Sequence, residues 1–594
     1  MFNRKKIIER YLITTADEAT WPLDLDCPVL FLGVWCKDHR RKNIWSKYDW
    51  IVAEPFLHVE KSINYEEYLI TLFNQLLPEL SNALNAFHKE MHSNRYWKII
   101  IGHWLRLYLK VIIHRYKALN STIQNYQISG VSVYKSNLFS LVTKNSLQFT
   151  RAINNSKWNS ILFSKILYSL NQVNFSVNIL DSDDKVELPI EKINKSMKRK
   201  FIRIVGSQLN RIYRDTDAFI VKTYLPHIDE IKLQASLLQV PKLWEEPTLD
   251  FGDVDPEYRS NFKLDYSNYQ GLEMIVRKLI IELLPTCYLE GYKDICNRTE
   301  TFKWPKSPKF IFTSNSFEHN EGFKFWTAKK VEKGHSYFVG QHGSNYGTYK
   351  YSNYWTEITT CDYFISWGWD KVYQDVNVLP AFNFIIGNKR NIQHDKNGSL
   401  LLIKRGPGQQ NGPYDRRFIH SVYQQDVLSF FDSFPESIKK KFVVRLHHGS
   451  SEFASEDKLL WMNKYKNIKI STGYEPLNDL VANSRMVIIT YDASSILVYL
   501  NLNIPLVCFW KDALDQLLDQ AVPYYQLLID VGIMHPNFNL ASNHIIKYWD
   551  NIDHWWKSKK VQHARIQFCN RYSKKVNNPI LTMSRLLKDN IKQQ

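Results

Sequence analysis

The amino-acid sequence predicts an α/β protein: two doubly wound units facing a cleft, with a large helical insertion in the first. Three observations predict it. Short apolar runs alternate with helix-patterned stretches from about residue 305 to residue 512, the rhythm of strand–helix–strand units around a mostly parallel sheet. Turns rich in glycine, serine or threonine follow those runs directly, where open parallel sheets bind ligands. A charged, asparagine-bearing stretch, GNKRNIQHDKNGS (387–399), separates two such series and reads as a hinge.

Taken in order, CPVLFLGVWC (27–36) is continuously apolar, as in a strand covered on both faces. NYEEYLITLFNQLLPELSNALNAFHKE (64–90) places Tyr68, Leu72, Leu76, Leu80, Leu84 and Phe87 at helical spacing, with Pro78 expected to kink or restart the helix. YWKIIIGHWLRLYLKVIIHRY (96–116) is the longest apolar stretch, but Arg106 and Lys110 would be buried in lipid if it spanned a bilayer, so it reads as a buried helix. Residues 120–190 lack a decisive period and read as irregular, with short strands and helices; residues 192–300 are mostly helical in pattern, and KINKSMKRKFIR (192–203) reads as an amphipathic helix. PKFIFTSNS (308–316), FKFWTAKKVEKG (323–334), HSYFVGQHG (335–343) and CDYFISWGW (361–369) then alternate strand and helix. The second series runs from SLLLIKRGPGQQNGP (399–413) through KFVVRLHH (441–448), EPLNDLVANS (475–484) and RMVIITYDASS (485–495) to ILVYLNLNIPLVCFW (496–510). The expected units are therefore 1–390, with a mainly helical insertion over about 60–300, and 391–512, followed by helices over 513–594.

Lysine and arginine outnumber acids by 77 to 59, a formal charge of +18. Such a field favours polyanions: nucleic acid, an anionic membrane face or phosphorylated small molecules. The seven cysteines are an odd number without zinc spacing, which suggests a reduced, cytoplasmic protein. The N-terminus lacks the apolar core and small-residue site of a signal peptide. GxxxxGK[ST] is absent, and no GxGxxG follows the first strand, which removes the usual signals for ATP hydrolysis and dinucleotide binding. The acidic clusters LDLDC (23–27) and DSDD (181–184) read as loops, so no metal is expected.

The candidate chemistry lies at the strand ends. In the second unit, Thr490, Ser494 and Ser495 sit where a strand turns into a helix, offering hydroxyls, free N–H groups and the positive end of a helix dipole to a phosphate. Arg445, His447 and His448 end a neighbouring strand, and Lys404 and Arg405 end a third; arginine can grip a phosphate through two parallel hydrogen bonds. In the first unit, Gly340, Gly343 and Gly347 would let the chain turn sharply around Gln341, His342 and Tyr346. His342 would then face the phosphate site as a proton-transfer group, with Glu318, Glu321 and Glu357 as alternative bases.

LITTADEATWP, PVLFLGVWC, GQHGSNYG, SWGW, VVRL, IPLVCFW, VGIMHPN, the Trp555–Trp556 pair and RIQFCNRY occur in this order. Together they resemble a family of transferases encoded in bacterial O-antigen and other surface-polysaccharide loci, over residue 11 to about 575. The resemblance implies a GT-B glycosyltransferase-like plan of two Rossmann-like domains, with terminal helices returning across both. It also implies a nucleotide-activated sugar donor, in some relatives of this plan a CMP-ulosonic acid, and a glycan or lipid-linked glycan acceptor. No cofactor is implied beyond that co-substrate. The expected setting is the cytoplasm, with peripheral contact to the anionic inner membrane. Two positions depart from the pattern: Val498 stands where a glutamate is expected after the serine pair, and RLHHGS lacks an expected proline and acid. The competing readings are a CDP-alcohol phosphotransferase of polymer synthesis, a basic nucleic-acid-binding protein, and a glycan-binding scaffold without catalysis.

Overall fold

The computed structural model describes residues 8–38, 41–53, 63–135, 137–170, 174–181, 186, 213–242, 244, 247–387, 394–406, 416–447, 452–511 and 514–591. All of KINKSMKRKFIR and most of DSDD and of the loop after Arg405, as well as His448 and hinge residues 388–393, lie outside the described residues.

Three parallel sheets carry the described residues. The first contains β1 (Arg10–Ile13), β2 (Val29–Phe31), β3 (Trp50–Val52), β4 (Ile128–Tyr134) and β5 (Ser176–Leu180), in the order β3-β2-β1-β4-β5. The second contains β6 (Phe219–Val221), β7 (Phe310–Thr313), β8 (Ser336–Gly340), β9 (Tyr363–Ser366) and β10 (Val378–Pro380), side by side in chain order. The third contains β11 (Ser399–Ile403), β12 (Phe442–Arg445), β13 (Lys469–Ser471), β14 (Ser484–Ile489), β15 (Leu506–Phe509) and β16 (Met534–His535). Its order, β13-β12-β11-β14-β15-β16, is that of a Rossmann sheet. Every pairing in these sheets is parallel.

The α/β class is as the sequence predicts, but the region expected to hold one sheet holds two. Its helical stretch contains β4, β5 and β6. The reason is chemical: ISGVSVY carries serine and glycine within β4, and β6 is only three residues long, so neither shows as an apolar run. Pro78 likewise does not restart its helix, which runs as one element from Ile63 to His88.

The Asn94–Asn125 helix is the spine between the first two sheets. It packs on the Ser156–Tyr168 helix of the first sheet and on the Glu321–Glu332 and Thr356–Thr360 helices of the second. Its apolar residues are buried on these neighbours, while Arg106 and Lys110 pair with Glu66 at 3.7 and 3.4 Å. Among the described residues no helix is long and apolar enough to cross a membrane.

A short C-terminal segment stitches the second and third sheets together. Lys574 donates its backbone N–H to Trp367 O at 2.8 Å and accepts from Asn383 N at 2.9 Å, both beside the second sheet. Ser573 Oγ donates to Leu497 O at 2.7 Å, and the Ser573 carbonyl accepts from Asn501, on the helix that follows β14. Arg571 adds a 2.5 Å pair to Asp370. Gly368, at φ +129°, makes this approach feasible: a Cβ there would lie 2.8 Å from Lys574 Cβ. The last helix, Pro579–Asp589, then packs on His227–Ser236.

Candidate functional site

The loop after β8 is held from three sides. The Gln341 amide is buried, accepting from Trp367 N and Trp369 Nε1 at 2.9 and 2.8 Å while donating to Gly343 O at 2.8 Å. This glutamine fixes the loop rather than offering itself to a ligand. Gly340 is required because a Cβ would lie 2.6 Å from both Phe384 and Ser314 Oγ. Gly347, at φ +71°, turns the chain so tightly that a Cβ would meet the Trp369 ring at 2.4 Å.

The loop reaches the third sheet. Ser344 donates its backbone N–H to Ser494 Oγ at 2.9 Å, and Gly343 leaves room for that hydroxyl. Beyond it, Leu518 N donates to Thr348 O at 2.7 Å and Lys350 N to Gln516 O at 3.0 Å. Gly340–Gly347 and Ser494–Ser495 therefore touch directly.

Around His342 five titratable side chains form a chain. Its Nε2 lies 3.8 Å from Glu318 Oε1, and its Nδ1 3.2 Å from the Tyr346 hydroxyl. Tyr346 donates to Glu357 Oε1 at 2.7 Å, and Glu357 Oε2 lies 3.6 Å from His103 Nε2. Burial pushes the His342 imidazole down to about 4, against the opposing pull of the Ser314 carbonyl. Burial and the nearby Glu357 carboxylate push Glu318 up to about 7, while Lys222 pulls it down. Glu357 is raised by burial as well, and His103 is held well below its ordinary value by burial and by surrounding cations. His319, in the same loop as Glu318, is pushed down to about 4 by burial and then by Lys324.

On the third sheet the chain leaves β11 toward β12 on one side and leaves β14 toward β15 on the other. That reversal opens a crevice at the carboxyl ends of β11 and β14. Arg405 follows β11 with its side chain exposed, and its backbone N–H donates to Tyr423 Oη at 2.8 Å. Tyr423 Oη lies 2.5 Å from Thr490 Oγ1, so the hydroxyl of Thr490 ties the two strand ends together. Ser494 and Ser495 begin the Ser494–Asn501 helix, whose cap residue Ala493 supplies no side-chain cap. Asp492, half-buried beside them, is pushed up to about 6 by burial. Among the described residues no three His, Cys, Asp or Glu side chains converge as a metal cage would.

Other sequence-selected residues lie in different surroundings. Lys404 is fully buried, its ammonium 2.8 Å from both Asp457 Oδ1 and Gln424 Oε1, under the sheet rather than in the crevice. Arg445 donates to the carbonyls of Glu475 and Gly473 at 2.9 and 3.2 Å, fixing the loop after β13. His447 is exposed and closes on Gly406, where a Cβ would approach its ring to 2.4 Å. Glu321 is enclosed by Lys324 at 2.7 Å, Ser146 Oγ at 2.5 Å and Tyr288 Oη, which leaves it no free oxygen for a substrate. Sequence reasoning missed His103, Tyr423 and Asp492. His103 comes from a helix some two hundred residues upstream, and its apolar neighbours IIIG and WL make it read as core; Asp492 was readable as an acid beside the serine pair.

Residues 10–587 match the LIC12162 family transferase, and the chain belongs to that family. No curated protein matches the sequence. Among solved structures, MurG of Acinetobacter baumannii aligns with 9% identity and a TM-score of 0.32, over 78% of this chain and 99% of that one. A provisionally named UDP-N-acetylglucosamine 2-epimerase from Listeria monocytogenes aligns with 10% identity and a TM-score of 0.33, over 61% of this chain and 100% of that one. Superpositions so loose add nothing to the topology and the family.

Proposed function

We propose that this transferase moves a glycosyl group from a nucleotide-activated donor to a glycan acceptor in surface-polysaccharide synthesis. The observation that carries the reading is the 2.9 Å bond from Ser344 N to Ser494 Oγ, which joins the His342 loop to the switch-point crevice. The crevice offers Arg405, Thr490 and Ser495 to a phosphate, with the positive end of the Ser494–Asn501 helix behind them. Arg445 supports it through the loop after β13. The His342 cluster faces it from the acceptor side. Two held reactants and preset charge supply the acceleration: orientation lowers the entropic part of the barrier, and the cation and dipole offset charge on the departing phosphate.

A donor such as a CMP-ulosonic acid, an O-antigen precursor as acceptor, and work in the cytoplasm beside the membrane complete the proposal. The experiment is a melting-point series with CMP, CDP, UDP, GDP and their sugars, because a ligand of the native state raises the midpoint by mass action. The raising nucleotide is then supplied with its sugar and phosphate separately labelled. Sugar label alone in a polymer product supports glycosyl transfer, whereas phosphate label in the product replaces it with alcohol-phosphate transfer. A flat melting series defeats the reading.

A further inference from the structure

We propose that Glu318 is the proton acceptor of the transfer site, with His342, Tyr346 and Glu357 positioning it. The inference rests on the glycosyl-transfer reading and names the group that reading lacks. Geometry separates Glu318 from its neighbours. His342 is held at Nδ1 by the Tyr346 hydroxyl at 3.2 Å, its Nε2 lies 3.8 Å from Glu318, and its ring is walled by Tyr224, Phe317 and Tyr346 at centroid distances of 5.5, 6.0 and 5.3 Å. Glu357 lies deeper, accepting the Tyr346 hydroxyl at 2.7 Å, with a side chain 8% exposed against 26% for Glu318. Among the described residues the ion pairs give Glu318 no lysine or arginine partner. It stands at the open end of the chain, at the carboxyl end of β7, next to the strand whose loop docks on Ser494.

The groups facing it are consistent with that role. Lys222 and Tyr224 follow β6, Glu357 comes from the Thr356–Thr360 helix, and His342 from the loop after β8; behind them His103 and Arg106 lie on the long helix. Burial and Glu357 outweigh Lys222, raising the carboxyl to about 7, where a base is matched to neutral conditions. The imidazole, held near 4, is too weak a base to keep a proton there. In the step, the acceptor oxygen forms its bond to the anomeric carbon and passes its proton to a Glu318 oxygen. The bond from that carbon to the donor phosphate breaks, and its electron pair leaves with the nucleotide.

Two measurements on the full chain test this, using Glu318→Gln, which keeps the shape and removes the titrating oxygen. The first is slow hydrolysis of radiolabelled CMP-, UDP- and GDP-sugars, with water as acceptor. The wild-type rate should rise with pH and level off near 7. Glu318→Gln should flatten that limb and lower kcat by ~100-fold or more, with the donor KM little changed. Tyr346→Phe, which cuts the chain behind His342, should shift the midpoint of the limb. A Glu318→Gln enzyme that keeps both limb and rate overturns the proposal. The second needs no substrate: infrared difference spectra between pH 5 and 9 should show a protonated-carboxyl band lost near neutrality in wild type and missing from Glu318→Gln. An unchanged band in the variant overturns the proposal. If no donor is hydrolysed by wild type yet the band disappears in Glu318→Gln, the glycosyl-transfer reading falls while the proton site at Glu318 stands.

Discussion

The His342–Glu318 pair shows how strongly single side chains here are shaped by burial, and it gives two predictions of opposite sign. Glu318 has a folded-state value near 7 against an ordinary 4.5. Its contribution to stability is fully present below the ordinary value and is lost as pH rises through the folded one. Glu318→Gln should therefore gain on wild type between pH 5 and pH 8 in urea unfolding. His342 has a folded value near 4 against 6.5, so its contribution is present above 6.5 and lost as pH falls toward 4. A His342→Gln variant should accordingly lose less stability than wild type between pH 7 and pH 5. Gly347→Ala forces a left-handed backbone and a clash with Trp369; a loss of about 1–3 kcal/mol is expected, read from the denaturation midpoint. The importance of this loop was readable from its three glycines in eight positions, and its turn-forming role followed from their type. The job of Gln341 was not: nothing nearby in sequence shows that its amide is consumed by two tryptophans about twenty-five residues on.

Strand ends were the most legible elements, because an apolar run stopping at small polar residues leaves few alternatives to a sheet edge. What the side chains do beyond that edge was less legible. Lys404 and Arg405 are adjacent, and alternation along an extended chain sends one inward and the other outward. The inward one is bound to Asp457, which arrives from the Glu452–Lys464 helix some fifty residues later. Replacing Lys404 with alanine should cost about 3 kcal/mol by leaving that acid without its cation, visible as a lower melting point. Replacing Arg405 with alanine should leave the melting point alone and weaken binding of the nucleotide found in the melting-point series by ~10-fold. Finding the reverse pattern would move the anion site away from Arg405. β4 lies where short strands are expected among irregular structure, whereas β6 went unread, its brevity hiding it until neighbouring strands supply the pairing.

Across the whole molecule, the sequence conveyed the α/β class and the facing of a glycine loop and a serine turn, but not the number of sheets. Sheet count depends on which strands pair, and pairing is decided by contacts far apart in the chain. The stitch formed by Arg571, Ser573 and Lys574 is such a long-range feature. Asn383 and Leu497, which it joins, lie beside different sheets, and all the candidate site residues precede it in the chain. During synthesis on the ribosome, the donor-side and acceptor-side loops leave the exit tunnel well before the residues that lock them face to face. A product stopped between Ser495 and Arg571 would contain each candidate group and still lack the clamp between them. Nonsense changes between Ser495 and Arg571 should therefore be as damaging as those upstream of Ser495.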